Sequence, residues 1–382
     1  MTFTIVLLSL AAFASAASMR VTDAMLPRLA SDFHVGLAQA ASVITVFAVA
    51  YGVMQMLFGA LGDRFGKLRV ISLAAIGASA ATFICLAAPG YPVFIAGRLL
   101  SGGLCGAIIP LAMAWIGDVV PYAERQPVIA RFLLGQILGL GVGTAVGGFA
   151  AEQPQWRWPF AVLAVWLLLS GGALLRASRR HPAPRPAIHA NFFHDLARVL
   201  GSRWARIVIA TVCVEGIVVF GGLAFMPTHL HYARGFSLSH AGLSMLMFAA
   251  GGVGFAIFAR PVVRHLGEVG LAIGGTLLLA SGLALATWTP FAAMAPGGCL
   301  LAGLGFYMLH NTLQTNATQM APERRGAGMA LFASMFFLGQ AAGVAVAGVL
   351  AERVGALMVL AGAAVVIVPI GLNFARLRRG LK

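Results

Sequence analysis

Two carboxylates of this 382-residue chain, Asp23 and Glu215, lie deep inside long apolar runs. Asp32, Asp63, Glu124, Glu152, Asp195, Glu268, Glu323 and Glu352 fall in loops or at run ends, and Asp118 closes one run. An ionised Asp at the centre of a membrane helix costs about 2.5 to 3.5 kcal/mol on insertion scales. Such a group calls for a partner, a water-filled cavity or a bound proton. Glu215 stands about ten residues into its run, roughly 15 Å deep at helical rise. The surrounding Thr211-Val-Cys-Val-Glu-Gly-Ile offers no local cation. Two roles are open: a carboxyl that exchanges a proton as a cavity opens to each side, or a protonated group making one structural hydrogen bond.

Arg20 and Asp23 are three residues apart and share a helix face. They either neutralise each other or line a cavity. In the second case Arg20 would bind an anionic group, or change partner when Asp23 takes up a proton. Arg98 sits about five residues inside its run, from where it could snorkel outward or bond a carbonyl or acid across a cavity. His310, Asn311 and Gln314 close another run, as cavity groups or as a wet helix end. Phe220, Phe225, Tyr307 and Phe336 could form an aromatic substrate wall, or serve packing and lipid contact.

Other chemistries find no foothold. No glycine loop ending in Gly-Lys-Ser/Thr is present, which argues against ATP-driven work. No metal-ligand spacing and no hydrolase motif occur, so neither a metal, a cofactor nor an enzyme activity is expected. Cys85, Cys105, Cys213 and Cys299 all lie in apolar runs and read as buried free thiols.

The elements that must hold these residues are membrane helices. The chain is 60% hydrophobic and 10% charged, with a mean hydropathy of +0.91, more apolar side chain than a soluble protein of this length can hide. Apolar runs predict twelve spans: 4–28, 42–61, 70–88, 93–117, 128–150, 158–177, 206–228, 241–260, 269–288, 291–313, 327–350 and 355–375. About 20 residues cross a hydrocarbon core. Phe3 to Phe13 followed by Ala14-Ser15-Ala16 has the look of a cleaved signal, but no Lys or Arg precedes it, so a retained first span is expected.

The net charge of +15 collects at run ends, which reads as a membrane-orientation signal rather than a nucleic-acid surface. With a cytoplasmic N-terminus, Arg28, Arg157, Arg234 and Arg353 lie outside. Nearly all other Arg and Lys, from Arg64, Lys67 and Arg69 to Lys382, lie inside, and both termini are cytoplasmic. The stretch 178–205, with Arg179-Arg180-His181-Pro182 and Pro184-Arg185-Pro186, reads as a cytoplasmic linker between bundles 1–177 and 206–382. Its residues Asn191 to Leu200 predict a short amphipathic surface helix. Across the linker Gly139, Gly143, Gly148, Ala151 and Glu152 recur as Gly339, Gly343, Gly348, Ala351 and Glu352, and Arg125 recurs as Arg325, at a constant offset of 200. A repeated six-plus-six membrane bundle is typical of secondary transporters with a site between the halves.

Between the second and third spans the loop reads Gly-Ala-Leu-Gly-Asp-Arg-Phe-Gly-Lys-Leu-Arg, from Gly59 to Arg69. Gly59, Asp63, Arg64, Gly66 and Lys67 resemble the loop signature of the major facilitator superfamily. Gly59, Gly62 and Gly66 are expected to allow close backbones or a turn. Arg98, Gly102, Gly103 and Pro110 resemble the family's fourth-helix pattern. Gly135, Gly139, Gly143, Gly147 and Gly148, followed by Trp156-Arg157-Trp158-Pro159-Phe160, resemble the fifth helix of its drug/proton antiporters, except that Leu140 stands where that pattern carries proline. The resemblance implies an all-α membrane protein with twelve transmembrane helices in two pseudo-repeated six-helix bundles. It further implies a monomer in the inner membrane that moves a small molecule by alternating access. Proton-coupled efflux of an amphipathic drug or metabolite is the leading expectation, with uptake or facilitated diffusion of a sugar or organic anion as the alternative. Protons would pass through Glu215 and Asp23, with Arg20 and Arg98 as electrostatic partners and Asp63 and Arg64 at an inner gate. The glycine ladder is expected to pack on a glycine-rich helix such as Gly251-Gly252-Val253-Gly254.

Overall fold

The computed structural model describes residues 2–179, 192–289 and 291–380, and among them helices carry almost the whole chain. Among the described residues ten helices are long and apolar enough to cross a membrane. One of these, Leu238–Trp288, has 51 residues and contains two crossings. These are the eighth and ninth crossings, and they meet at Gly267, whose φ of 62° and ψ of −180° suit glycine alone. Together with the tenth, Ala295–Gln319, this gives the twelve crossings that the apolar runs predict. The first is Thr2–Asp32, the second Leu37–Phe65, the third Lys67–Ala87, the fourth Tyr91–Val119, the sixth Trp158–Ser178 and the seventh Arg203–Arg234. The fifth lies in Tyr122–Ala151, the eleventh is Arg325–Val354 and the twelfth Ala356–Arg379. A short helix, Phe192–Gly201, precedes the seventh. The predicted linker residues 180–191, with most of the proline-arginine stretch, lie outside the described residues, as do Leu381 and Lys382.

Two spans are interrupted at corresponding places. The first runs as an α-helix to Arg20, passes through a 3₁₀ turn at Asp23–Met25, and resumes at Leu26–Asp32. Pro27 cannot donate to the Asp23 carbonyl and its ring crowds that carbonyl, so the helix yields one turn upstream. The seventh runs to Glu215, takes a π-helical stretch at Gly216–Phe220, and resumes at Met226–Arg234 behind Pro227. The offset between the two prolines is the 200 of the sequence repeat.

Gly135, Gly139, Gly143 and Gly147 of the glycine ladder pack on the first span and Gly148 on Leu238, which corrects the expectation that the ladder meets Gly251–Gly254. A Cβ on Gly135 would lie 2.8 Å from the Ser9 carbonyl oxygen, and one on Gly143 2.6 Å from that of Ala17. Gly139 and Gly147 abut the Phe13 and Val21 carbonyls in the same way. The other half repeats this: Gly339 and Gly343 abut the carbonyls of Cys213 and Ile217 on the seventh span, again 200 residues on from Phe13 and Ala17. Gly251 instead faces the tenth span at Leu300 and Leu304, and Gly252 faces the Tyr307 ring. Small residues at these crossings let backbones touch where lipid offers no hydrophobic drive.

Each half has its own apolar core, and a third joins them at one end of the bundle. That third core combines Ala40, Ala41, Ala150 and Ala151 with Phe225, Leu238, Ala347 and Ala351. We call this the Glu152 end, and the opposite end the Gly66 end. At the Gly66 end, Gly66 turns the chain with φ 90°. Lys67 Nζ donates to Asp118 at 2.6 Å and approaches Asp63 at 3.2 Å, and Arg64 lies over the Phe65 ring. Gly62 is packed under Leu111, but a Cβ on Gly59 would meet open space. Close approach therefore does not explain that glycine.

Candidate functional site

The break in the first span leaves carbonyls of its last α-helical turn without helical donors. Arg98, buried at 1% exposure, supplies donors from the fourth span. Its Nη1 donates to the Ser18 carbonyl at 2.6 Å, Nη2 to Met19 at 3.4 Å, and Nε to Val43 of the second span at 3.3 Å. Its guanidinium also lies 4.3 Å from the Phe47 ring centroid. Of the two roles open to Arg98, this geometry is the inward one, with carbonyl oxygens as partners.

Arg20 ends the α-helical part of the first span and Asp23 begins the turn, so both project from the break. They are buried together, with Nη1 to Asp23 Oδ2 at 3.2 Å. Arg20 Nη2 donates to Gln340 Oε1 of the eleventh span at 2.9 Å, and its guanidinium stands 4.3 Å from the Phe220 ring centroid. A cation on an aromatic face gains most when desolvated. The second oxygen of Asp23 and the Gln340 amide nitrogen have no hydrogen-bond partner among the described residues. A cavity of about 30 Å³, room for roughly one water, is lined by Arg20, Asp23, Phe220, Phe248 and Tyr307.

Glu215 lies at 0% exposure where the seventh span changes from α to π geometry. π-Helical insertions frequently mark functional sites. His310 Nδ1 is 2.7 Å from Glu215 Oε2, while Oε1 has no hydrogen-bond partner among the described residues. The His310 ring stacks 5.1 Å from Phe306 and 4.7 Å from Phe336. Phe336 meets Phe220 edge-on at 5.4 Å. A cluster of aromatic rings thus stands between the Glu215–His310 pair and the Arg20–Asp23 pair.

The structure brings together Arg20, Asp23, Phe220 and Tyr307 around the small cavity, and Glu215 and Phe336 around His310. Phe225 is fully buried in the core of the Glu152 end, away from both groups. Asn311 accepts from Thr315 through its backbone carbonyl and is partly exposed. Gln340 was not foreseen. Its only sequence signal is an amide inside an apolar run, at the repeat position of Leu140.

The sequence profile of the Major Facilitator Superfamily matches residues 8–344. The chain is 27% identical over 260 residues to the uncharacterised MFS-type transporter YwfA of Bacillus subtilis, covering 65% of this chain and 61% of that protein. It is 26% identical over 155 residues to the multidrug export protein EmrB of Escherichia coli, covering 41% of this chain and 30% of that protein. A longer match, 23% over 386 residues, covers 86% of this chain and 83% of the putative multidrug resistance protein MdtD of Pectobacterium carotovorum. The fold matches an inward-facing, unoccupied bacterial homologue of the lysosomal transporter Spinster, with a TM-score of 0.78 at 18% identity, over 98% of this chain and 96% of that one. It also matches the human organic anion transporter MFSD10, with a TM-score of 0.69 at 19% identity, over 97% and 98%. The chain is a multi-pass membrane protein and belongs to the Major Facilitator Superfamily.

Proposed function

We propose that this transporter exports a small amphipathic compound in exchange for protons, by alternating access between bundles 1–177 and 206–382. The observation that carries the proposal is Glu215. A fully buried carboxyl with one oxygen on an imidazole and the other without a partner among the described residues is costly when ionised, and a proton exchanged through His310 relieves that cost. His310, partly exposed, offers the path by which that proton reaches it. Asp23 is the second proton carrier: its protonation would free Arg20 Nη1 for an incoming anion while Nη2 stays on Gln340. The multidrug export proteins among the relatives support outward transport. The protein works in the inner membrane as a monomer, with both termini cytoplasmic by the placement of Arg and Lys. On that orientation the Gly66 end faces the cytoplasm, and Asp63 and Arg64 serve the inner gate.

The alternative is uptake or facilitated diffusion of a sugar or organic anion. Arg20 at the small cavity favours the anion. Export predicts that deletion raises sensitivity to a toxic compound, whereas uptake predicts a growth defect on a nutrient. The proton reading is tested in proteoliposomes with and without an imposed pH gradient. Glu215→Gln should lose pH-driven accumulation at least about tenfold while keeping substrate exchange. Full pH-driven accumulation in that variant would remove Glu215 from the role.

A further inference from the structure

Glu152 closes the fifth span and Glu352 closes the eleventh, and among the described residues neither carboxylate is hydrogen-bonded within its own half. Ser239, in the first turn of the eighth span, donates its backbone N–H to Glu152 Oε1 at 3.1 Å and its hydroxyl to Glu152 Oε2. Ala38, in the first turn of the second span, donates its backbone N–H to Glu352 Oε1 at 2.7 Å. Each carboxylate thus caps a helix of the opposite half, where the first-turn amides and the helix dipole both favour an anion. The two glutamates are related by the same offset of 200 as the glycine repeat, and their partners Ser239 and Ala38 fall within one residue of it. Backbones approach closely at both: Gly148 abuts Leu238, and a Cβ on Gly348 would lie 3.1 Å from the Ala38 Cα.

We infer that Glu152 and Glu352 are a paired latch holding the halves together at the Glu152 end, and that the transport cycle must release both helix caps to open that end. The inference rests on alternating access between the halves, and on neither the direction of transport nor proton coupling.

The two contacts are unequal for a stated reason. The eighth span has a cap of its own, since Ser237 Oγ accepts from the His240 amide at 3.2 Å. The second span begins after Gly36, which has no side chain to offer. A Cβ at Gly36 would lie 2.5 Å from Glu352 Oε1, so this glycine leaves the space that the carboxylate fills. Glu352 is the main cap of the second span and Glu152 a supplementary cap of the eighth. Partial burial pushes the Glu152 carboxyl up, but hydrogen bonds from Ser239, and from Ser237 and Leu238, outweigh it and hold the group below the ordinary 4.5. It is therefore ionised at neutral pH, as a cap requires.

The test is double electron–electron resonance on purified full-length protein with its cysteines replaced by alanine. Spin labels at the exposed Ser31 and Tyr232 report the Glu152 end, and labels at Leu61 and Phe258 report the other. Glu352→Ala should raise the long-distance population between Ser31 and Tyr232 about fivefold, the scale of one lost cap. Glu152→Ala should raise it less, and the double variant most. The distance between Leu61 and Phe258 should shorten in step. Glu352→Gln, which keeps the acceptor oxygen, should fall between wild type and alanine. Unchanged populations in a double variant that stays monodisperse and helical would overturn the latch, as would a lower melting temperature with unchanged distances. The experiment needs no substrate and no gradient, so its outcome is independent of whether Glu215 carries protons.

Discussion

At Pro27 and Pro227 the first and seventh spans break alike, and each lies along a glycine-lined neighbour in its own half. Their chemistry differs. The first span holds Arg20 and Asp23 at its break; the corresponding positions of the seventh are Phe220 and Leu223. The seventh holds Glu215, opposite Ser15. Arg20 and Phe220, repeat partners in sequence, touch each other across the interface. Around the breaks the scaffold residues are kept in both copies, and each charge is kept in one. Structural pairs there can thus be substituted symmetrically, whereas Arg20, Asp23 and Glu215 each have a counterpart of a different kind.

The comparison breaks first if the glycine contacts are dispensable. Gly143→Leu drives a side chain into the Ala17 carbonyl, and Gly343→Leu into that of Ile217. Both should reduce the yield of monodisperse protein more than about tenfold, measured by size-exclusion chromatography after solubilisation, since overpacking against backbone has no cheap relief. Tolerance of either one alone would mean that the halves do not share this packing.

A smaller effect is expected at the charge pair. Asp23→Asn leaves Arg20 buried without its counter-ion, at a cost of about 3 to 5 kcal/mol. Adding Arg20→Gln should restore part of the loss. Thermal melting of the single and double variants reads this directly, and a double variant less stable than Asp23→Asn would refute the pairing. Smallest is Gln340→Leu, which gives the eleventh span the residue its repeat partner Leu140 already has. It removes a hydrogen bond to a charged donor, worth about 1.5 to 3 kcal/mol, and should lower the melting temperature less than Asp23→Asn does. An equal or larger drop would make Gln340, rather than Asp23, the principal partner of Arg20.

Much of the architecture was legible from residues alone. Twelve apolar runs, the signature from Gly59 to Lys67 and the repeat of Gly139 and Gly143 at Gly339 and Gly343 lead to two packed bundles, because span length and small-residue spacing are local properties; the signature reads as a loop, but residues 59–65 continue the second helix and Gly66 alone makes the turn. Glu215 and Asp23 stood out by the cost of charge in an apolar run. Their surroundings did not. His310 lies 95 residues from Glu215 and Gln340 lies 320 from Arg20, and nothing local announces either pairing. The partner of the glycine ladder is hidden for the same reason: spacing shows that a backbone comes close, not which one. Pro27 and Pro227 were visible signals of the two breaks, within runs whose hydropathy alone reads as continuous helix.

Arg98 ties three elements with one side chain: the broken first span through Ser18 and Met19, the second through Val43 and Phe47, and its own fourth span. A load applied to any of the three passes to the other two, so this wall of the bundle has little internal compliance. On the proposed alternating access, rocking would then be absorbed at the seams, where Gly52 meets the Ser334 carbonyl, Gly242 meets Thr144, and Gly348 meets Ala38. Such seams, smooth because they lack side chains, would slide rather than flex.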